Sequence, residues 1–322
     1  MIGIIGISTY FPQKTISVKQ LIASENLDEQ QRAYFESVGI DTIQHADEQE
    51  SYDLAKNAAL KVIADYQVKP TDINLVVHVQ TRLPQYLMSS SSGRLQFEVG
   101  AKNANAMSIS DLGCTDMSMA VKIAADHLKA NADARYILIC YGNRQYAPSR
   151  FRFPITINGD GGVALLIGRT ARNQILDVNI KTSGSYWDLF KVDYLGKAFS
   201  DYREECSSFR KYGFELAIES KLKISELNDA TLNRQELSKA DISHYMLQNL
   251  SARSFEFYET TFDLKFAGVC RENLNKYGHL GPADIMVNYQ AGLDNGTFRS
   301  GDKVLIMNNS PVASWSNILL QA

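Results

Sequence analysis

The run Ala106-Met-Ser-Ile-Ser-Asp-Leu-Gly-Cys-Thr-Asp-Met-Ser-Met-Ala-Val-Lys-Ile-Ala-Ala-Asp-His-Leu128 takes the chain from a buried strand into an amphipathic helix, with Cys114 at the junction. Backbone N–H groups and the positive end of a helix dipole stabilise a thiolate at such a point, lowering a cysteine pKa from its free value near ~8.5 toward neutrality. Cys114 is therefore a candidate nucleophile. A buried, inert thiol is the alternative, because free cysteines are often buried.

Strands and helices alternate on both sides of this run. Residues 2–7 are apolar and β-branched, residues 51–66 place Leu54, Ala58 and Val62 at helical spacing, and residues 73–80 read as a buried strand. A serine-rich stretch at 89–92 leads into a short helix closed by Gly100, and residues 136–140 and 161–168 are further buried strands. Later in the chain, residues 175–180 alternate like a strand, 212–227 have helical spacing, and 241–247 form a strand feeding a helix near Ser251. Residues 284–292 read as a helix and 302–307 as a strand, followed by a turn at 308–311 and a last strand through Trp315. Residues 184–208 read as an excursion of loop and short helix, of the kind that often lines a site. The pattern is α/β with largely buried strands.

Composition narrows the function classes. The 322-residue chain, 45% hydrophobic, is long enough for two domains or for one fold built from two halves. A formal net charge of -3 and the lack of a large basic block argue against nucleic-acid binding. The four cysteines, Cys114, Cys140, Cys206 and Cys270, are widely separated, which supports neither a zinc site nor a disulfide scaffold and fits a reducing, cytoplasmic setting. No apolar run reaches transmembrane length, and the first residues read as a strand rather than a signal peptide.

Several motifs arrive in an order that resembles the β-ketoacyl-acyl-carrier-protein synthase III group of the thiolase superfamily. They are Tyr10-Phe-Pro12, Arg32 to Val38-Gly-Ile40, the cysteine at its strand-to-helix turn, Asn158-Gly-Asp-Gly-Gly162, Lys276-Tyr-Gly-His-Leu-Gly281, and Ser300-Gly-Asp-Lys-Val-Leu305 ahead of a terminal Ser-Trp-Ser. The resemblance spans nearly the whole chain. It implies a thiolase fold, two similar halves in a five-layered αβαβα arrangement. Residues 1–170 would form an N-terminal half carrying the cysteine and a homodimer interface, and residues 171–322 a C-terminal half carrying the remaining catalytic positions. It also implies that an acyl-CoA or acyl-carrier-protein thioester is the substrate, acylating Cys114 through a pantetheine tunnel, with no metal and no permanently bound cofactor.

The chain departs from that pattern around the cysteine. The family's histidine after a strand corresponds by register to Gln248, and Arg253 falls five residues later, where the family's arginine attracts the carrier protein; His244, a mid-strand residue, is the alternative to Gln248. His279 stands where the family has an asparagine, and an imidazole there can take the thiol proton or donate to a thioester carbonyl. The turn Ser310-Pro-Val312 replaces a glycine run whose N–H helps hold an oxyanion, and proline has no N–H to give. Asp116, two residues past the thiol, opposes a thiolate if it faces the sulfur, whereas in the helix's first turn it suits the dipole. Arg150 and Arg152 are candidates to meet coenzyme A phosphates or are solvated loop charges, and Met88 lies near the family's insertion into the partner's acyl pocket.

These features point to an acyltransferase in specialised, polyketide or fatty-acid-like biosynthesis, with Cys114, His279 and Gln248 catalytic and Arg253 and Arg152 contacting the thioester carrier. The alternative is a catalytically degenerate subunit in a heterodimer with a ketosynthase-like partner.

Overall fold

The computed structural model describes residues 1–80, 84–145 and 149–322. Nine of its strands form one mixed sheet. From one edge to the other they are His244–Leu247, Lys303–Ser310, Ser314–Gln321, Gln174–Thr182, Ile2–Tyr10, Gly161–Arg169, Tyr136–Asn143, Ile73–Val79 and Asn105–Ile109. The seam between Ile2–Tyr10 and Gln174–Thr182 is narrow, joined in register at Gly3 and Gln174. Moving outward from it in either direction, the first two pairings are antiparallel and the third is parallel. The first three pairings on either side of the seam therefore follow the same pattern, with one further parallel strand, Asn105–Ile109, on one side, although the sequence shows no repeat residue by residue.

Alternation along the strands builds a core on each face of the sheet. Ile137 and Ile139 join Val77, Val79, Val163 and Leu165 on one face, while Leu138 and Cys140 join Val76, Ala164 and Leu166 on the other. Helix Asp116–Ala130 covers the first face, burying Met117, Ala120, Val121, Ala124 and Leu128 at spacings of one side of a helix. Helix Ser51–Asp65 covers the second with Ala55, Ala58, Ala59 and Val62, small side chains that let it lie close on strands Gly161–Arg169 and Tyr136–Asn143. Full burial of each Leu or Val on these faces contributes about 1.5–3 kcal/mol, so the helix after Cys114 is firmly fixed to the sheet.

Most strands and helices expected from the sequence are present, with shifts of a few residues at their ends. The expected turn at 308–311 instead lies at 311–313, because Asn308–Ser310 pair in strand Lys303–Ser310. The last strand runs Ser314–Gln321 rather than ending at Trp315, and the helix expected over 212–227 continues to Arg234. The excursion differs. Instead of only loop and short helix, Phe190–Val192 and Glu204–Cys206 pair as an antiparallel ribbon, with Phe190 opposite Cys206. Three-residue strands carry too little periodicity to be read from sequence, and this pair is held by packing: Phe190 meets Tyr212 edge-on at 5.0 Å. All four cysteines are free thiols. Among the described residues no helix is long and apolar enough to cross a membrane, and no cluster of three or more His, Cys, Asp or Glu is placed to hold a metal.

Candidate active site

Cys114 sits in a single 3-10 turn, Gly113–Thr115, that runs directly into helix Asp116–Ala130. Gly113 has a φ of +59°, and a Cβ added there would come within 2.2 Å of Ser310 Oγ, so both backbone and space demand glycine before the thiol. The turn is clamped from the last two strands. Asn308 Nδ2 donates to the Cys114 carbonyl at 2.8 Å, Ser314 Oγ donates to the Leu112 carbonyl at 2.6 Å, and the Thr115 and Ser314 hydroxyls lie 2.7 Å apart. Strands Lys303–Ser310 and Ser314–Gln321 thus hold the Cys114 turn in register with the sheet.

Asp116 is fully buried and its carboxyl folds back on the turn, with Oδ1 accepting from Leu112 N at 3.1 Å. Burial pushes it up to about 7, against the backbone donors of Leu112 and Gly113 and aided by the nearby charge of Asp111. Its other oxygen, Oδ2, is buried with no partner among the described residues. Asp116 therefore belongs to the framework of the turn.

His279 arrives from the opposite half. Its N–H donates to the Ile157 carbonyl at 3.0 Å and its carbonyl accepts from Gly159 N at 3.1 Å, an isolated bridge to the Asn158-Gly-Asp-Gly-Gly162 motif. A Cβ at Gly159 would lie 2.0 Å from the Tyr277 carbonyl oxygen, so that glycine is what lets the two loops meet. The buried imidazole places Nε2 3.5 Å from Cys114 Sγ and Nδ1 2.6 Å from Asp284 Oδ2. Asp284, the first residue of helix Asp284–Asp294, is held by two backbone donors, Leu280 N at 2.7 Å to Oδ1 and Asn249 N at 2.9 Å to Oδ2. Burial disfavours the charged ring, but the Asp284 carboxylate and the adjoining Cys114 side chain outweigh it and raise His279 to about 9. Thiol, imidazole and carboxylate form one hydrogen-bonded line, with Nδ1–H directed at the carboxylate and Nε2 at the sulfur.

Asp284 was not among the residues singled out from the sequence. Its signal is faint: a carboxylate five residues past the turn histidine, at a position that otherwise reads as a favourable helix start. Gln248 follows strand His244–Leu247, is buried, and donates from Nε2 to Asn309 Oδ1 at 3.0 Å. His244 lies at the other end of that strand, 3.3 Å from Asp302 Oδ2. Neither is a hydrogen-bond partner of Cys114, a position His279 takes.

A chamber of about 220 Å³ opens over the thiol, lined among others by Cys114, Tyr141, Arg152, Glu204, His279, Ser310 and Pro311. Arg152 and Glu204 also line a neighbouring cavity of about 600 Å³ with Leu27, Phe35, Phe153 and Phe209. The Arg152 Nε donates to Glu204 Oε2 at 2.6 Å, so its charge is balanced by the excursion ribbon. Arg150 is likewise committed, bridging both oxygens of the buried Asp160. Arg253 is exposed on helix Ala252–Phe262 and does not line the chamber. Met88 is fully exposed, at a φ of +60°.

No family model matches the chain. It is 24% identical over 322 residues to the β-ketoacyl-[acyl-carrier-protein] synthase III of Clostridioides difficile, covering 97% of this chain and 96% of that one. Among solved structures, the 3-oxoacyl-[acyl-carrier-protein] synthase III of Aquifex aeolicus matches with a TM-score of 0.83 at 20% identity over the full length of both chains. The acyltransferase ChlB3 matches with a TM-score of 0.86 at 20% identity over 100% of this chain and 97% of its own. The chain is thus similar over nearly its whole length to β-ketoacyl-[acyl-carrier-protein] synthase III proteins and has the thiolase fold.

Proposed function

We propose that the protein is an acyltransferase in which Cys114 accepts an acyl group from an acyl-CoA or acyl-carrier-protein thioester and passes it to a second substrate. The observation that carries this reading is the buried line from Cys114 Sγ through His279 to Asp284. His279 takes the thiol proton, the sulfur attacks the thioester carbon, and collapse of the tetrahedral intermediate breaks the donor's C–S bond as the imidazolium protonates the leaving thiolate. In the second half, neutral His279 takes the proton of an incoming hydroxyl, amine or thiol, and the acyl group leaves Cys114. Asp284 holds the ring in the tautomer with Nε2 free and balances the charge it gains.

Transfer to a heteroatom is favoured over decarboxylative carbon–carbon bond formation. A condensing site needs neutral donors on the carbonyl of the decarboxylating substrate, and here the Gln248 amide is turned to Asn309. The reading places the protein in specialised biosynthesis in the cytoplasm, as a homodimer joined through residues 1–170, with residues 171–322 completing the site. Incubation with a panel of acyl-CoA and acyl-carrier thioesters, followed by intact-mass measurement, tests it: an adduct forms on the wild type and not on Cys114→Ala. No adduct across the panel refutes it. Co-purification with a second thiolase-fold protein, with complex activity unchanged by Cys114→Ala, would instead establish a degenerate partner subunit.

A further inference from the structure

We infer that the Ser310 hydroxyl is a catalytic residue, the side-chain donor that holds the oxyanion of the Cys114 tetrahedral intermediate. The inference rests on the acyl-transfer reading above and names how this chain stabilises its transition state.

Attack by Cys114 Sγ forms an S–C bond and moves the carbonyl π pair onto oxygen; the pair returns as the donor thiolate is expelled and protonated by His279. That oxygen needs donors positioned before it becomes charged. The turn that closes the chamber opposite Cys114 is Ser310-Pro311-Val312-Ala313, which links the two strands clamping the nucleophile. Pro311 lines the chamber and has no N–H, so the backbone there offers nothing. The next N–H, of Val312, is directed at Ser310 Oγ at 3.4 Å, and that of Ala313 at the Ser310 carbonyl at 2.9 Å.

Ser310 fills the gap. It is 1% exposed yet lines the chamber together with Gly113, Cys114 and His279. Its Oγ stands so close over the nucleophile turn that a Cβ at Gly113 would approach it to 2.2 Å. The hydroxyl oxygen accepts from Val312 at 3.4 Å, and among the described residues no other hydrogen bond engages it. A buried hydroxyl that spends its lone pair on a neighbouring N–H and keeps its proton unused, lining the same chamber as the attacking sulfur, is arranged to donate to a charge that exists only during reaction.

Single-turnover acylation by the most reactive thioester of the panel, and alkylation by iodoacetamide, are measured on the wild type, Ser310→Ala and Ser310→Gly. Alkylation displaces iodide at a saturated carbon and creates no oxyanion, so it reports only that the turn is intact and the thiol available. Both variants are expected to acylate about 100-fold more slowly while alkylating within about twofold of the wild type. Acylation within about threefold of the wild type overturns the inference. So does an equal fall in both rates, which would make Ser310 a prop for the turn. A wild type that alkylates but accepts no acyl group refutes the acyl-transfer reading itself, and this is seen before any variant is compared.

Discussion

Replacing Asp284 by asparagine removes one charge from a site in which every other atom can stay in place. In the native protein Asp284 accepts three hydrogen bonds, from His279 Nδ1 at 2.6 Å, Asn249 N at 2.9 Å and Leu280 N at 2.7 Å. An amide offers one oxygen. If that oxygen stays with Leu280, the NH2 group faces His279 Nδ1 and drives the ring proton to Nε2, where it confronts Cys114 Sγ and cannot take the thiol proton. The electrostatic loss has the same sign. His279 stands at about 9 against an ordinary 6.5. That difference is worth about 3 kcal/mol in favour of the imidazolium, net of burial and shared between Asp284 and the sulfur. The expected outcome for Asp284→Asn is an acylation rate roughly 10²- to 10³-fold lower at pH 7.5, read by rapid quench and intact mass. Stability carries an independent signature. Because the folded-state value is raised, the native protein keeps a proton that the unfolded chain has lost between pH 6.5 and about 9. Its contribution is full below 6.5 and disappears as pH rises through the folded value, with a slope of about 1.4 kcal/mol per pH unit in between. Asp284→Asn flattens that decline in a denaturant titration series. A variant that acylates within about threefold of the wild type, or keeps the full decline, would refute the charge relation between these residues.

Other residues of the site give sharper local tests. Asp116→Asn keeps the acceptor for Leu112 N but removes a carboxylate that burial holds near 7. The wild type loses stability as pH rises from 3.8 toward 7, so the variant gains on it by about 1–3 kcal/mol at pH 8 and the gap closes near pH 4, as thermal melts will show. Gly113→Ala meets both a φ of +59° and the Ser310 hydroxyl; it is expected to cost about 1–3 kcal/mol in urea unfolding and to slow iodoacetamide labelling of Cys114 at least tenfold. Arg152→Ala removes the guanidinium partner of Glu204 in the chamber wall and is expected to raise KM for the thioester more than it lowers kcat, with Arg152→Ala/Glu204→Gln recovering at least half of the lost stability in a double-mutant cycle.

What could be read from the sequence follows the range of the physics involved. Cys114 was legible because its setting is local: strand, turn, glycine and helix lie within one continuous stretch, and the turn glycine is fixed by its own φ. His279 was legible as a turn histidine able to take the thiol proton, though the loop that holds it there, residues 157–159, lies far away in sequence. The central strands were legible because burial on both faces leaves unbroken apolar runs. Asp284 was hidden. Three residues of 3-10 turn, Gly281–Ala283, swing its carboxylate back onto the histidine, and no periodicity announces such a reversal. Gln248 follows the strand that the sequence indicates, but what its amide faces is decided by Asn309 on the adjacent strand, 61 positions away. Arg152 read as a candidate for coenzyme A phosphates or a solvated loop charge, because its partner, Glu204, lies 52 residues on in a ribbon too short to predict. The same distinction explains why resemblance foretells fold better than reaction here. The fold depends on many small apolar burials that tolerate substitution one at a time, whereas the reaction depends on three or four polar atoms whose partners come from distant segments. Pro311, which has no N–H, and the buried Ser310 hydroxyl line the same chamber, a juxtaposition that only the assembled structure brings into view.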